Sequence, residues 1–143
     1  MNTSNPECRP VIHCMAPGIH LMDAVGNFCL DLADCLDAAG FSTKLHANSF
    51  PRRLLGRVSI LSDVFPSIRP DDLILVSFSI FDTCLRSILE LPNPKVCYFH
   101  GVTPPELLQE FDPMTAEVCR KAMRQLPRLA MFDVVLANPP YLR

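Results

Sequence analysis

The chain has 143 residues, of which 49% are hydrophobic and 20% charged, and its formal net charge is −2. This composition is typical of one globular domain, and the small net charge excludes a broadly basic surface for nucleic acid. No apolar run reaches the roughly 18 residues of a membrane-spanning helix. Residues 1–9 lack the charged start and apolar core of a signal peptide. We therefore expect a cytoplasmic protein with a flexible tail at 1–9 and one domain over 10–143.

The first predicted elements form a βαβ unit. Residues 10–15 are a short apolar strand, and apolar residues at helical spacing predict a helix over 23–39. Asp23 can cap the start of this helix, and Gly40 suits its C-terminal cap. Residues 41–47 alternate in polarity and predict a second strand. Two strands joined through a helix are parallel, with a right-handed crossover.

The middle of the chain adds two strands and a helix. Residues 48–70 mix basic residues, apolar residues and prolines without one period, which predicts an irregular connection with about one helical turn. Residues 72–79 are a continuous apolar run, as in a strand buried on both faces. A short helix is expected over 81–91, before a strand over 95–99.

The last third of the chain predicts two helical segments and a fifth strand. A short helical turn begins at Pro104. A longer helix begins at Pro113 after Asp112, which can cap it, and Pro127 is expected to kink or split this helix. Residues 133–137 are apolar and predict the fifth strand.

Alternating strands and helices predict an α/β, Rossmann-like fold. The simplest arrangement is a doubly wound parallel sheet of about five strands, in the order 3-2-1-4-5, with helices on both faces. In that order the first and fourth predicted strands are neighbours. Their carboxyl ends lead into Gly18–Asp23 and His100–Thr103. Since ligands bind where the strand order reverses, these two loops are expected to form one site.

Candidate site residues come from these two loops. The imidazole of His100 can donate or accept a hydrogen bond at a strand exit, although a loop histidine can also satisfy only a backbone carbonyl. Gly18 can let backbone amides approach a ligand, or it can serve only as a turn residue. His20 can line the same cleft. Asp23 is either a helix cap alone or a ligand for a hydroxyl, and Asn27 shares its helix face.

Further residues have weaker or structural interpretations. Gly101 and Thr103 follow His100 and complete the predicted site, and Thr103 also suits the N-cap of the next helical turn. His13 and His46 lie in predicted strands and are expected to be structural. The seven cysteines form no CxxC pair, which favours small buried side chains over a metal site.

Two segments resemble a known family. Asp23 to Asn27 reads DAVGN, similar to an early D-A-[IV]-x-N segment, and Phe99 to Pro104 reads FHGVTP, similar to a Y-H-N-I-T-P loop. On these motifs residues 10–143 resemble the N-terminal, acceptor-side domain of GT-B glycosyltransferases of the family 4 type. Ser77 stands where that group has histidine, and Gly101 where it has asparagine.

The resemblance implies a role in polysaccharide biosynthesis. Such enzymes transfer a sugar from a nucleotide sugar to a glycan or lipid-linked acceptor with retention, without a cofactor, and often at the inner face of the membrane. The histidine matched by His100 lies beside the donor sugar and helps to position it in the transition state, so the resemblance implies a catalytic role for His100. The domain that binds the donor and carries paired glutamates is not matched, so this chain is expected to be inactive without a separate donor-binding domain or subunit. The alternatives are a non-catalytic Rossmann-like remnant or a binding or regulatory domain.

Overall fold

Six parallel strands form one sheet in the computed structural model, which describes residues 9–138. The order across the sheet is β3-β2-β1-β4-β5-β6, and every neighbouring pair is parallel. The predicted Rossmann-like α/β class is therefore confirmed. Apart from Arg9, the predicted tail lies outside the described residues. In chain order the strands are β1 (Val11–Gly18), β2 (Ser42–Ser49), β3 (Val58–Ile60), β4 (Leu73–Phe78), β5 (Lys95–Phe99) and β6 (Val134–Ala137).

Four α-helices and four 3₁₀ turns connect these strands in the described part of the chain. The helices are α1 (Ala24–Ala38), α2 (Leu61–Val64), α3 (Leu85–Leu89) and α4 (Pro113–Gln125). The 3₁₀ turns are Arg52–Leu54, Phe65–Ser67, Pro105–Leu107 and Leu126–Met131. As Pro113 and Pro127 predicted, α4 begins at the first proline and gives way to a 3₁₀ turn around the second.

The sheet has an apolar core on each face, because successive side chains of a strand point to opposite sides. On one face, Cys14 and Leu45 pack with Cys29 and Leu30 of α1. On the other face, the alternate β4 residues Ile74, Val76 and Phe78 pack against α2, α3 and α4. Helix α1 therefore covers one side of the sheet, and the three later helices cover the other. The edge strand β6 keeps Val134, Val135 and Leu136 about half exposed.

One predicted neighbour relation is wrong. The predicted irregular segment 48–70 contains the short strand β3, which pairs with β2 at the edge of the sheet. The strand over 73–78 then takes the place beside β1, and the strand over 95–99 lies one position further out. The reversal of strand order consequently falls between β1 and β4. The sequence pattern did not predict this sixth strand, because β3 has only three residues and Val58 alone among them is buried.

Two predicted boundaries also differ from the structure. The first strand continues through Gly18, because the register with β2 extends to Gly18 and Ser49. The helix expected over 81–91 is reduced to Leu85–Leu89. Residues before it are held in a loop by Asp82, whose Oδ1 accepts from the backbone N of Cys84 at 2.8 Å.

The cysteines within residues 9–138 are mostly buried and none forms a disulfide. Burial raises the pKa of Cys14 and Cys97 to about 12, so both thiols are protonated at neutral pH. In this part of the chain, no group of three or more His, Cys, Asp or Glu side chains could hold a metal ion. None of the helices within residues 9–138 combines the length and the apolar composition of a transmembrane segment.

Candidate functional site

The candidate site lies at the carboxyl edge of the sheet, where β1 and β4 are neighbours. The chain leaves β1 toward α1 on one face and leaves β4 toward α3 on the other. Connections that diverge in this way leave a crevice between the two strand ends, which is the usual ligand position in open α/β sheets. The predicted site edge is therefore retained, although β4 replaces β5 as the neighbour of β1.

His100 reaches this edge from β5. Its backbone N donates a hydrogen bond of 2.9 Å to the carbonyl oxygen of Phe78, which fixes the loop beside the end of β4. Its ring contacts Phe28 of α1 edge-on, with 4.6 Å between ring centroids, and lies 4.7 Å from the ring of Tyr98. Phe28 and Tyr98 are themselves 4.5 Å apart. We call these three side chains the His100 cluster. Its ring contacts join helix α1 to strand β5 and to the loop after it.

One ring nitrogen of His100 lacks a hydrogen-bond partner among the described residues. This atom, Nε2, is buried. A buried polar atom left in this state costs about 1–3 kcal/mol. Burial lowers the pKa of His100, and the carboxylate of Asp23 opposes this shift. The ring is therefore neutral at physiological pH and can pair with a hydroxyl group.

The first loop is held by a contact between two polar side chains. The Nε2 atom of His20 lies 2.9 Å from the hydroxyl oxygen of Ser49. This hydrogen bond joins the loop after β1 to the end of β2. A Cβ on Gly18 would lie 3.3 Å from the His20 ring, so this ring packs against the Gly18 backbone. His20 is exposed, and both residues lie at the carboxyl edge of the sheet.

Asp23 and Asn27 lie at the exposed start of α1. The side chain of Asp23 accepts from the backbone N of Val25 at 3.1 Å, as predicted for a helix cap. The backbone N of Asn27 donates to the carbonyl oxygen of Asp23 at 2.9 Å, so the two residues share one helical turn. Besides capping α1, Asp23 acts on His100 through its negative charge.

Gly101 and Thr103 lie in the exposed loop after His100. Gly101 has a φ of 93°, a conformation that residues with a side chain rarely adopt. The predicted N-cap at Thr103 is wrong, since the following 3₁₀ turn is capped at Pro104 without a side-chain hydrogen bond. Thr103 remains exposed at the same edge as His100.

Comparisons of this chain with protein-family models, with curated proteins and with solved structures found no match. A function for the carboxyl edge of the sheet must therefore be inferred from the geometry of its residues. Phe28 and Tyr98 were not predicted as site residues. Phe28 follows the DAVGN segment directly, and Tyr98 stands two residues before His100, but only the packing of α1 on β5 brings them together.

A second polar group is buried at the opposite, amino edge of the sheet. Nε2 of His13 lies 2.9 Å from Oδ2 of Asp72, and Nδ1 of His13 lies 2.8 Å from Nε2 of His46. All three residues are 1% exposed. We call this chain of contacts the Asp72 network. His13 and His46 lie buried within strands, in agreement with a structural role.

The protonation of this network follows from its contacts. Burial alone would raise the pKa of Asp72, but hydrogen bonds from Val11 N, His13 and Arg69 N lower it to about 2. Burial and the neighbouring His13 lower the pKa of His46 to about 4. When the network is ionised only at Asp72, His13 donates to Asp72 and accepts from His46. Nδ1 of His46 is then a buried acceptor without a partner among the described residues.

The free energy of unfolding is expected to fall as the pH drops from about 6.5 to about 4. The pKa of His46 is lower in the folded chain than its usual 6.5, so the unfolded chain takes up the proton first. The contribution is complete above pH 6.5 and is lost with a slope of at most about 1.4 kcal/mol per pH unit. Urea unfolding at several pH values measures this slope. His46→Gln should flatten it, and an unchanged slope in that variant would contradict the prediction.

Proposed function

We propose that this chain is the acceptor-side part of a retaining glycosyltransferase, and that the carboxyl edge beside His100 holds a sugar. The observation that supports this most directly is the buried Nε2 of His100, which has no partner among the described residues. It lies in an aromatic cluster beside the end of β4, which is one of the two strands between which the strand order reverses. A ligand hydroxyl at this atom would supply the missing hydrogen bond.

The surroundings of His100 suit a carbohydrate. Sugars present apolar faces and many hydroxyl groups, and they are bound by aromatic side chains together with a few placed polar groups. Phe28 and Tyr98 supply the aromatic surface. Asp23 lies close enough to influence the charge of His100 and offers carboxylate oxygens to a hydroxyl. Gly101, with its positive φ, turns the chain directly after His100.

The proposal divides the reaction between two protein parts. His100 would position the sugar that is transferred, and a neutral imidazole can do this without adding charge to the site. The nucleotide of the donor would be bound mainly by a second domain, as the resemblance of the two loop motifs implies. A glycan or lipid-linked acceptor, and a position at the inner face of the membrane, belong to the same proposal.

Binding of sugars by the isolated chain tests this proposal. In titrations followed by amide NMR, UDP-sugars, GDP-sugars and oligosaccharides are expected to shift Gly18 and Gly101 selectively. His100→Phe keeps an aromatic ring against Phe28 but removes the hydrogen-bonding nitrogen. We expect this variant to lose at least about tenfold in affinity, equivalent to about 1.4 kcal/mol. An unchanged circular dichroism spectrum and melting temperature would show that the fold is retained.

Two results would contradict the proposal. Equal sugar binding by the His100→Phe variant would remove His100 from the site and favour the non-catalytic Rossmann-like alternative. Sugar transfer by the isolated chain would contradict the assignment of donor binding to another domain. Shifts at the carboxyl edge that His100→Phe abolishes, without transfer, support both parts of the proposal.

A further inference from the structure

A cleft of about 390 Å³ lies between the β4–α3 connection and α4. It is on the face of the sheet opposite α1, and therefore apart from the His100 cluster. Four basic side chains and a single carboxylate are among the residues that line it. We call it the basic cleft. The residues that line it include Asp82, Arg86, Lys121, Arg124, Gln125 and Arg128.

The floor of the basic cleft is fixed by two buried side chains. The amide of Gln125 donates to the carbonyl oxygen of Asp82 at 2.8 Å and accepts from the backbone N of Asp82 at 3.0 Å. This pair of hydrogen bonds attaches the loop after β4 to helix α4. Asp82 is 1% exposed and Gln125 is 8% exposed. The two walls of the cleft are thus held together by contacts that only the tertiary fold can make.

The rim of the basic cleft carries excess positive charge. Lys121, Arg124 and Arg128 recur at helical spacing and share one side of α4 and the turn that follows it. Arg124 and Arg128 have no ion pair within residues 9–138, whereas Arg86 pairs with Glu90 at 3.2 Å. Lys121 lies 5.9 Å from the centre of the Phe81 ring. Basic side chains grouped without carboxylate partners favour the binding of an anion.

The carboxyl group of Asp82 is a second feature of the basic cleft that favours a bound ligand. Its Oδ1 accepts from the backbone N of Cys84, while its Oδ2 is buried without a hydrogen-bond partner in the described part of the chain. Burial raises the pKa of Asp82, and the hydrogen bond from Cys84 opposes this shift. A proton on Oδ2 converts the unpaired acceptor into a donor. A phosphate oxygen in the cleft can then satisfy it.

We propose that the basic cleft binds a phosphate group, with Arg124 and Arg128 on its oxygens and Asp82 at the floor. Guanidinium groups pair with two phosphate oxygens at once, and such charged hydrogen bonds are stronger than neutral ones. The phosphate is carried either by a soluble sugar phosphate or by a lipid headgroup. The site is separate from the sugar site proposed at His100, and neither depends on the other.

Binding of glucose 1-phosphate and of inorganic phosphate tests this inference by calorimetry and thermal shift. The unsubstituted chain is expected to bind and to melt at a higher temperature when the ligand is present. Arg124→Gln with Arg128→Gln should lower the affinity at least about tenfold. Arg52→Gln with Arg53→Gln removes the same charge from another exposed turn and should leave the affinity unchanged. Equal losses in both double variants would overturn the proposal.

Asp82→Asn distinguishes a phosphate site from a site for a cation. The asparagine oxygen can still accept from Cys84, and its amide nitrogen donates where Oδ2 of Asp82 has no partner. Phosphate binding at least as tight as that of the unsubstituted chain supports the proposal. Weaker phosphate binding overturns it, because a neutral donor at this position would then not be what the phosphate requires. His100→Phe should leave phosphate binding unchanged, so failure of the sugar proposal would not affect this result.

Vesicles separate the two sources of phosphate. Phosphatidylcholine vesicles with and without phosphatidic acid are compared by co-sedimentation with the chain. Binding that requires phosphatidic acid and is lost in the Arg124, Arg128 double variant assigns the cleft to lipid phosphate. Binding of glucose 1-phosphate without vesicle binding assigns it to a soluble ligand. Binding of neither ligand overturns the proposal.

Discussion

Asp72→Ala is expected to lower the free energy of unfolding by about 3–5 kcal/mol, because three donors lose their acceptor and each buried donor left unsatisfied costs about 1–3 kcal/mol. The carboxylate accepts 2.9 Å hydrogen bonds from Val11 N, from His13 Nε2 and from Arg69 N. These three donors are buried or half-buried, and in the alanine variant they would have no acceptor in place of the carboxylate. The loss should appear as a lower urea midpoint in circular dichroism, with an unchanged slope if unfolding remains two-state.

A neighbouring aspartate provides the control. Asp71 is more than half exposed, and its only ion pair in the described residues is a 3.8 Å contact with Arg69. Asp71→Ala should change the free energy of unfolding by no more than about 0.5 kcal/mol, as for other surface substitutions. A similar cost for both aspartates would show that the Asp72 network contributes no more than an exposed ion pair.

Gly26→Ala is expected to cost about 3 kcal/mol or more, at the upper end for overpacking. A Cβ on Gly26 would lie 2.2 Å from the carbonyl oxygen of His20 and 2.5 Å from its backbone N. Both atoms belong to the main chain, so no side-chain rotation can relieve the overlap. Either α1 or the loop before it must move. Because that loop carries His20, the change should also weaken sugar binding at the carboxyl edge.

Gly56→Ala is the matched control for this prediction. No atom lies within 4 Å of a Cβ built on Gly56, and its φ is not positive. Alanine there should leave the urea midpoint unchanged or raise it slightly, because it restricts the unfolded chain. Equal midpoints for the two alanine variants would mean that α1 adjusts to Gly26→Ala without cost.

The fold class was predictable because it depends on local patterns. Apolar spacing identified α1, alternating polarity identified β2, and apolar runs identified β1, β4, β5 and β6 to within a few residues. The strand β3 has three residues with one of them buried, which is too short to establish a period. Its omission displaced the predicted neighbour of β1. The helix α3 was overextended because the contacts of Asp82 with Gln125 come from a distant helix.

The parallel α/β architecture and the position of His100 at a strand exit were predictable from the sequence alone. Both depend on residues close together in the chain, where spacing and turn chemistry act directly. The groups that surround these residues depend on tertiary packing and could not be read from the sequence. Phe28 meets His100 because α1 packs against the end of β5. Asp72 meets His13 because β1 and β4 are neighbours, although 59 positions separate the two residues. Hydrogen bonds and ring contacts depend on distances of a few ångströms, and only the packed sheet sets those distances.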